Sequence, residues 1–139
     1  MVTRFLPLFV VVAAVLLGSC DTMNVQQYRI APANGSDRAK VKRVLHSIAS
    51  ELALADHTSS SHAPNTLVFY MQPDVQHFAV ELGAREVGSD IVIDLSAGFG
   101  PRSPEYVRAE QLLGAGLARE FDSRARHVEH PDTMHTASQ

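Results

Sequence analysis

Two runs of alternating apolar and polar residues flank Gly88-Ser89, and together they limit the fold more than any other part of the chain. In residues 77–86, Phe78, Val80, Leu82 and Ala84 point one way and His77, Glu81 and Arg85 the other. In residues 90–97, Ile91, Ile93 and Leu95 oppose Asp90, Val92 and Asp94. Glycine at the first position of a two-residue connection suits a type II′ turn. That register pairs Val87 with Asp90, Arg85 with Val92, Ala84 with Ile93 and Leu82 with Leu95. The apolar sets then share one face, as a half-buried antiparallel sheet requires. Glu81, Arg85, Asp90 and Asp94 share the other.

The remaining segments supply partners for this hairpin. Residues 25–31 (VQQYRIA) have strand character, and Pro32-Ala33-Asn34-Gly35 reads as a turn. Over 36–55 the period changes to that of a helix, with Val41, Val44, Leu45, Ile48, Leu52 and Ala55 on one face. Ser36 is placed as its N-cap, with Asp37 in the first turn where the dipole favours an anion. Residues 56–65 (DHTSSSHAPN) read as an exposed polar loop, and the apolar run 66–72 as a central strand. Gly98 to Arg102 reads as a tight loop before Ser103-Pro104-Glu105, a strong helix start: a capping hydroxyl, proline at the first helical position and an acid at the positive end. That helix runs to about Phe121 along a Tyr106, Leu113, Leu117 and Phe121 stripe. Gly114 and Gly116 weaken it, and their expected use is close approach to the sheet or the first helix. Residues 122–139 lack periodicity and read as a disordered tail.

The order β-α-β-β-β-α predicts an α+β domain over 25–121. Its architecture would be a two-layer sandwich with a four-stranded mixed sheet and two helices on one face. A right-handed crossover would make the first two strands parallel.

At 139 residues the chain holds one domain of ordinary size. Its formal charge of −3 argues against a general nucleic-acid binder, which needs a basic footprint. One cysteine excludes an internal disulfide framework and a multi-cysteine zinc site. With no tryptophan and 6% aromatics, stacking platforms for bases or sugars are poorly supplied.

Residues 1–4 carry one positive charge, and residues 5–17 are apolar throughout, about 20 Å as a helix against a hydrocarbon core of about 30 Å. This is a signal-peptide pattern rather than a membrane span. It ends in Leu17-Gly18-Ser19-Cys20, which resembles the lipobox of bacterial lipoproteins. The resemblance covers residues 1–20. It implies cleavage before Cys20, lipidation of that residue, and a protein on the periplasmic side of a bacterial membrane, inner or outer. Residues 20–24 would then be a tether. Asp21, next to the cysteine, tends to hold enteric lipoproteins in the inner membrane, a rule that varies between lineages.

Several clusters bear on chemistry. Asp56, His57, Ser59, Ser60, Ser61 and His62 contain every member of a Ser-His-Asp set, but neighbours in a polar loop lack the fixed geometry that such catalysis needs. His57 with His62, and His127, His130 and His135, offer imidazoles without an ordered ligand shell, so no metal site is assigned. Gly98-Phe99-Gly100-Pro101-Arg102-Ser103 joins a strand to a helix N-terminus with Arg102 adjacent, a weak anion cradle without a phosphate-loop signature. Phe99 either folds back over the core edge or projects as an apolar anchor. Glu81, Arg85 and Asp94, with Val92 among them, form an outer sheet face suited to docking.

No catalytic residue and no cofactor is assigned. The expected function is a non-enzymatic protein-binding module of the cell envelope, with Phe99, Arg102, Glu81, Arg85, Val92 and Asp94 as contact residues and another envelope or periplasmic protein as partner. Two alternatives are an inhibitor or immunity lipoprotein acting on a toxin or cell-wall hydrolase, and an accessory factor in envelope assembly or transport. An enzyme or metal carrier is the rival of a different class.

Overall fold

A computed structural model describes residues 23–75 and 79–129. Cys20 with residues 21–22 of the expected tether, the His77 and Phe78 positions of the first alternating run, and the tail histidines His130 and His135 lie outside the described residues, while Met23 and Asn24, expected in the tether, belong to the first strand.

The hairpin forms as its pattern requires. Strands β4 (Glu81–Val87) and β5 (Asp90–Phe99) pair antiparallel with Val87 opposite Asp90, Ala84 opposite Ile93 and Leu82 opposite Leu95. Gly88 takes φ of 61° while Ser89 does not, the combination that a type II′ turn demands. Leu82, Ala84, Ile91, Ile93 and Leu95 are all buried on one face.

On that face lie both helices, α1 (Asp37–Glu51) and α2 (Pro104–Phe121). Val41, Leu45 and Ile48 of α1 and Tyr106, Leu113, Leu117 and Phe121 of α2 complete one core with the inner strand residues. The α2 start follows its sequence signal: Ser103 Oγ accepts from the Tyr106 N–H at 3.1 Å, and Pro104 occupies the first turn. Gly116 makes the expected close approach, whereas Gly114 leaves room for a side-chain carbon in ordinary contact. A Cβ on Gly116 would lie 2.9 Å from Val44 Cγ1 of α1, and one on Gly114 would lie 3.5 Å from the Tyr28 hydroxyl of the sheet. Ser36 does not cap α1 with its side chain; instead its own N–H and hydroxyl both donate to Asn34 Oδ1.

The sheet has six strands, all antiparallel, rather than four in a mixed arrangement, in the order β2 (Ala55–Asp56), β3 (Thr66–Met71), β4, β5, β1 (Met23–Ile30), β6 (Ala125–His127). Strand β1 (Met23–Ile30) lies along the free edge of β5, with Gln27 opposite Asp94 and Ile30 opposite Ile91. The chain then crosses the whole inner face as α1 and re-enters at the far edge through β2 (Ala55–Asp56) and β3 (Thr66–Met71). The parallel expectation assumed that a helix joins neighbouring strands. Here β1 pairs with β5 instead, and both β5 and β4 stand between it and β3.

The sixth strand comes from the segment expected to be a tail. After a 3-10 turn at Asp122–Arg124, β6 (Ala125–His127) pairs with β1, and the Val128 N–H donates to the Gln27 carbonyl at 2.8 Å. Arg124 explains why a segment without periodicity is ordered. Its guanidinium donates twice to the carboxylate of Asp37, which is 0% exposed, at 3.2 and 2.5 Å. That pair clips the C-terminal segment onto the start of α1, and the Arg124 bonds hold the Asp37 carboxyl below its ordinary range.

Candidate functional site

The face of the sheet opposite the helices carries Glu81, Gly83 and Arg85 from β4, Val92, Asp94 and Ser96 from β5, and Phe69 and Met71 from β3. Residues 57–63 fold over one side of it and turn it into a cleft of about 490 Å³. This volume lies within the ~300–1,000 Å³ of ordinary ligand sites.

The polar loop builds that wall through local hydrogen bonds rather than periodicity. Asp56 Oδ1 accepts from the Thr58 N–H at 2.9 Å and the Thr58 hydroxyl at 2.6 Å. Thr58 Oγ1 in turn accepts from the Phe69 N–H at 3.0 Å, and the His57 N–H donates to the Phe69 carbonyl at 2.8 Å. These bonds prolong the β2–β3 ladder past β2 and fasten the loop to the sheet. The loop is exposed as expected, but these bonds hold it in place.

The Ser-His-Asp residues come close in space without forming a catalytic array. Ser60 Oγ donates to the His57 carbonyl at 3.1 Å, Ser61 Oγ bonds Thr66 Oγ1 at 3.0 Å, and Asp56 is occupied by Thr58. Among the described residues no hydroxyl of this loop is hydrogen-bonded to an imidazole nitrogen, the contact a serine nucleophile needs. Nor, among the described residues, does any group of three or more His, Cys, Asp or Glu side chains stand where it could hold a metal ion.

The floor rests on one glycine. Phe69 lies opposite Gly83, and a Cβ on Gly83 would come within 3.1 Å of Phe69 Cδ2 and 3.3 Å of the Val68 carbonyl oxygen. The missing side chain lets the Phe69 ring lie across β4. A glycine inside an otherwise alternating strand is the one sequence signal that pointed to this close approach.

Two carboxylates face the cleft in different states. Asp94 accepts from Gln27 Nε2 at 2.7 Å and stands 3.5 Å from Arg85 Nε, so its charge is compensated. Arg85 Nε is buried and has no hydrogen-bond partner among the described residues. Glu81 has only the Ser96 hydroxyl at 3.5 Å and, among the described residues, no cation within ion-pair distance. Burial pushes its carboxyl above the ordinary value, against a smaller downward pull from Ser96.

The expected contact residues therefore separate. Glu81, Arg85 and Asp94 come together in the cleft. Val92 does not belong to an accessible surface: it is 3% exposed, standing between Arg85 and Arg29 on its two flanking strands, whose aliphatic stems cover a valine between them. Phe99 projects, 53% exposed, at the end of β5, and Arg102 follows it with a 3.5 Å ion pair to Glu110. Sequence reasoning missed the cleft floor of Phe69, Gly83 and Met71 and the buried Gln27.

Comparison with protein-family models, with curated proteins and with solved structures gives no match for this chain.

Proposed function

We propose that the chain is a lipid-anchored module of the bacterial envelope that holds a segment of a partner protein in the outer-face cleft, with no reaction of its own. The anchor rests on the lipobox-like residues 17–20. One observation carries the binding role: the cleft combines an apolar floor at Phe69 and Met71 with a carboxylate, Glu81, that lacks a counter-charge among the described residues. A segment presenting a lysine or arginine suits both features, its stem on the apolar floor and its cation at Glu81. The net charge of the expected mature chain, eleven basic against fifteen acidic side chains, favours the same kind of partner.

Crosslinked affinity capture from detergent-solubilised envelope, with the full lipidated chain as bait, tests this. A stoichiometric protein partner whose yield falls with Glu81→Gln or Phe69→Ala is the expected result. Its identity separates an inhibitor or immunity role from an accessory role in assembly or transport. Recovery of no protein, under conditions that preserve other envelope complexes, would overturn the reading.

A half-buried carboxyl with raised proton affinity is also how a general acid is made, which favours an enzyme as the second reading. Against it, Asp94 is held by Gln27 and Arg85 and is not free to serve as the second carboxylate.

A further inference from the structure

The described residues include four exposed large apolar side chains: Met23, Val75, Phe99 and Val107. All four fall at one end of the molecule. Met23 opens β1 and is the cross-strand partner of Phe99, which closes β5. Val75 follows the end of β3, and the antiparallel order brings that strand end to the same side as the ends of β1 and β5. Val107 lies in the first turn of α2, which starts five residues after Phe99. The opposite end, with the Gly88-Ser89 turn and the Asn34-Gly35-Ser36 corner, carries no exposed large apolar side chain among the described residues.

The position of Cys20 gives this asymmetry a meaning. Only two residues, Asp21 and Thr22, separate it from Met23, at most about 11 Å of extended chain. A lipid on Cys20 would hold the Met23 end against the bilayer and leave the hairpin end facing away. We infer that Met23, Val75, Phe99 and Val107 form a membrane-docking end that seats the domain on the bilayer beside its own anchor. This rests on the lipid-anchor reading. The occupant is the boundary between headgroups and acyl chains, where exposed aromatic and aliphatic side chains are favourable. The charges around this end include Asp74, Glu105 and Glu51 against Arg102 and Arg108, with Glu51 and Arg108 paired at 2.7 Å, a mixture without basic excess, so the contact is apolar rather than electrostatic. Seating this end fixes the long axis of the sheet across the membrane plane and leaves the outer-face cleft opening sideways, within reach of a neighbouring envelope protein.

The chain contains no tryptophan, so a single introduced one reports its own surroundings. Phe99→Trp and Val75→Trp at the anchored end, and Ser89→Trp at the other, would be made in the full lipidated chain. Each would be reconstituted into phosphatidylethanolamine vesicles with and without phosphatidylglycerol, their acyl chains brominated. Blue-shifted emission and strong bromine quenching at positions 99 and 75, absent at 89 and insensitive to phosphatidylglycerol, is the expected result. Equal quenching at both ends, or none at 99 while mass spectrometry shows a lipidated Cys20 and the chain floats with the vesicles, would overturn the docking end and leave the anchor standing. An unmodified Cys20 with no flotation would overturn the anchor and the docking end together. Quenching that appears only with phosphatidylglycerol would overturn the apolar character of the contact.

Discussion

Asp37 and Glu81 are two carboxylates withdrawn from water at opposite ends of the sheet, and their surroundings differ in one respect. Asp37 is completely buried, yet Arg124 donates to both its oxygens and the Asn34 N–H donates at 2.8 Å, so ionisation is favoured. Glu81 keeps partial access to solvent but has only a long bond from Ser96, so burial dominates and ionisation is disfavoured. A buried charge that is fully compensated serves the fold. One left without compensation at a cleft costs stability, and it is free to pair with a cation from outside the chain.

That contrast can be broken by mutation, beginning at the clip. Arg124→Met leaves the buried Asp37 carboxylate with the Asn34 N–H but without its counter-charge, and we expect the largest fall of this series in the urea-unfolding midpoint. The exposed side of Arg124 moderates the loss, because water screens that half of the pair. An unchanged midpoint would show that the clip does not hold β6. Acid sharpens the same point. The folded Asp37 lies below its ordinary value of 3.8, so its contribution is present above that pH and is lost as pH falls below it. Glu81 has the opposite sign: raised above 4.5, it favours the folded state in its protonated form and subtracts from stability as pH rises through and above that value. Stability measured from about pH 2 to 7 should therefore fall less steeply in acid in Arg124→Met, where Asp56, held below its ordinary value by Thr58, still contributes, and just as steeply or more in Glu81→Gln.

Gly83→Ala tests the cleft floor. The added methyl meets the Phe69 ring and the Val68 carbonyl, and a cost of about 1 kcal/mol is expected with a displaced Phe69. Capture of the partner should fall with it; full recovery would place the binding surface elsewhere. The smallest stability effect belongs to Glu81→Gln, neutral or stabilising within about 1 kcal/mol because no folded partner loses a charge. A destabilisation as large as that of Arg124→Met would mean that Glu81 serves the fold and not a ligand.

The legible parts of the chain were those where a local period or a local cap decides the conformation. Alternation on both sides of Gly88-Ser89 specified the β4–β5 register, because a slip of one residue would have put Leu82 and Ala84 on the face opposite Ile93 and Leu95. Ser103-Pro104-Glu105 specified the start of α2 because capping and a fixed proline φ act within one turn. Three of the cleft residues, Glu81, Arg85 and Asp94, followed from the same alternation. Period alone also misled: it put Val92 on an accessible face, although a face assignment says nothing about the arginines on either side.

What the sequence by itself determined is thus both helices, four of the six strands, and the face that the β4–β5 hairpin buries. Tertiary structure decided which strand lies beside which, that residues 125–127 are a strand, and that residues 57–63 wall a cleft instead of lying free. It also decided that Asp37 meets Arg124, 87 positions away. The physical reason is one of range. Side-chain alternation and end caps act over a few residues, whereas edge pairing, buried ion pairs and close approach at a glycine exist only once distant segments have been brought together by the burial of a common core.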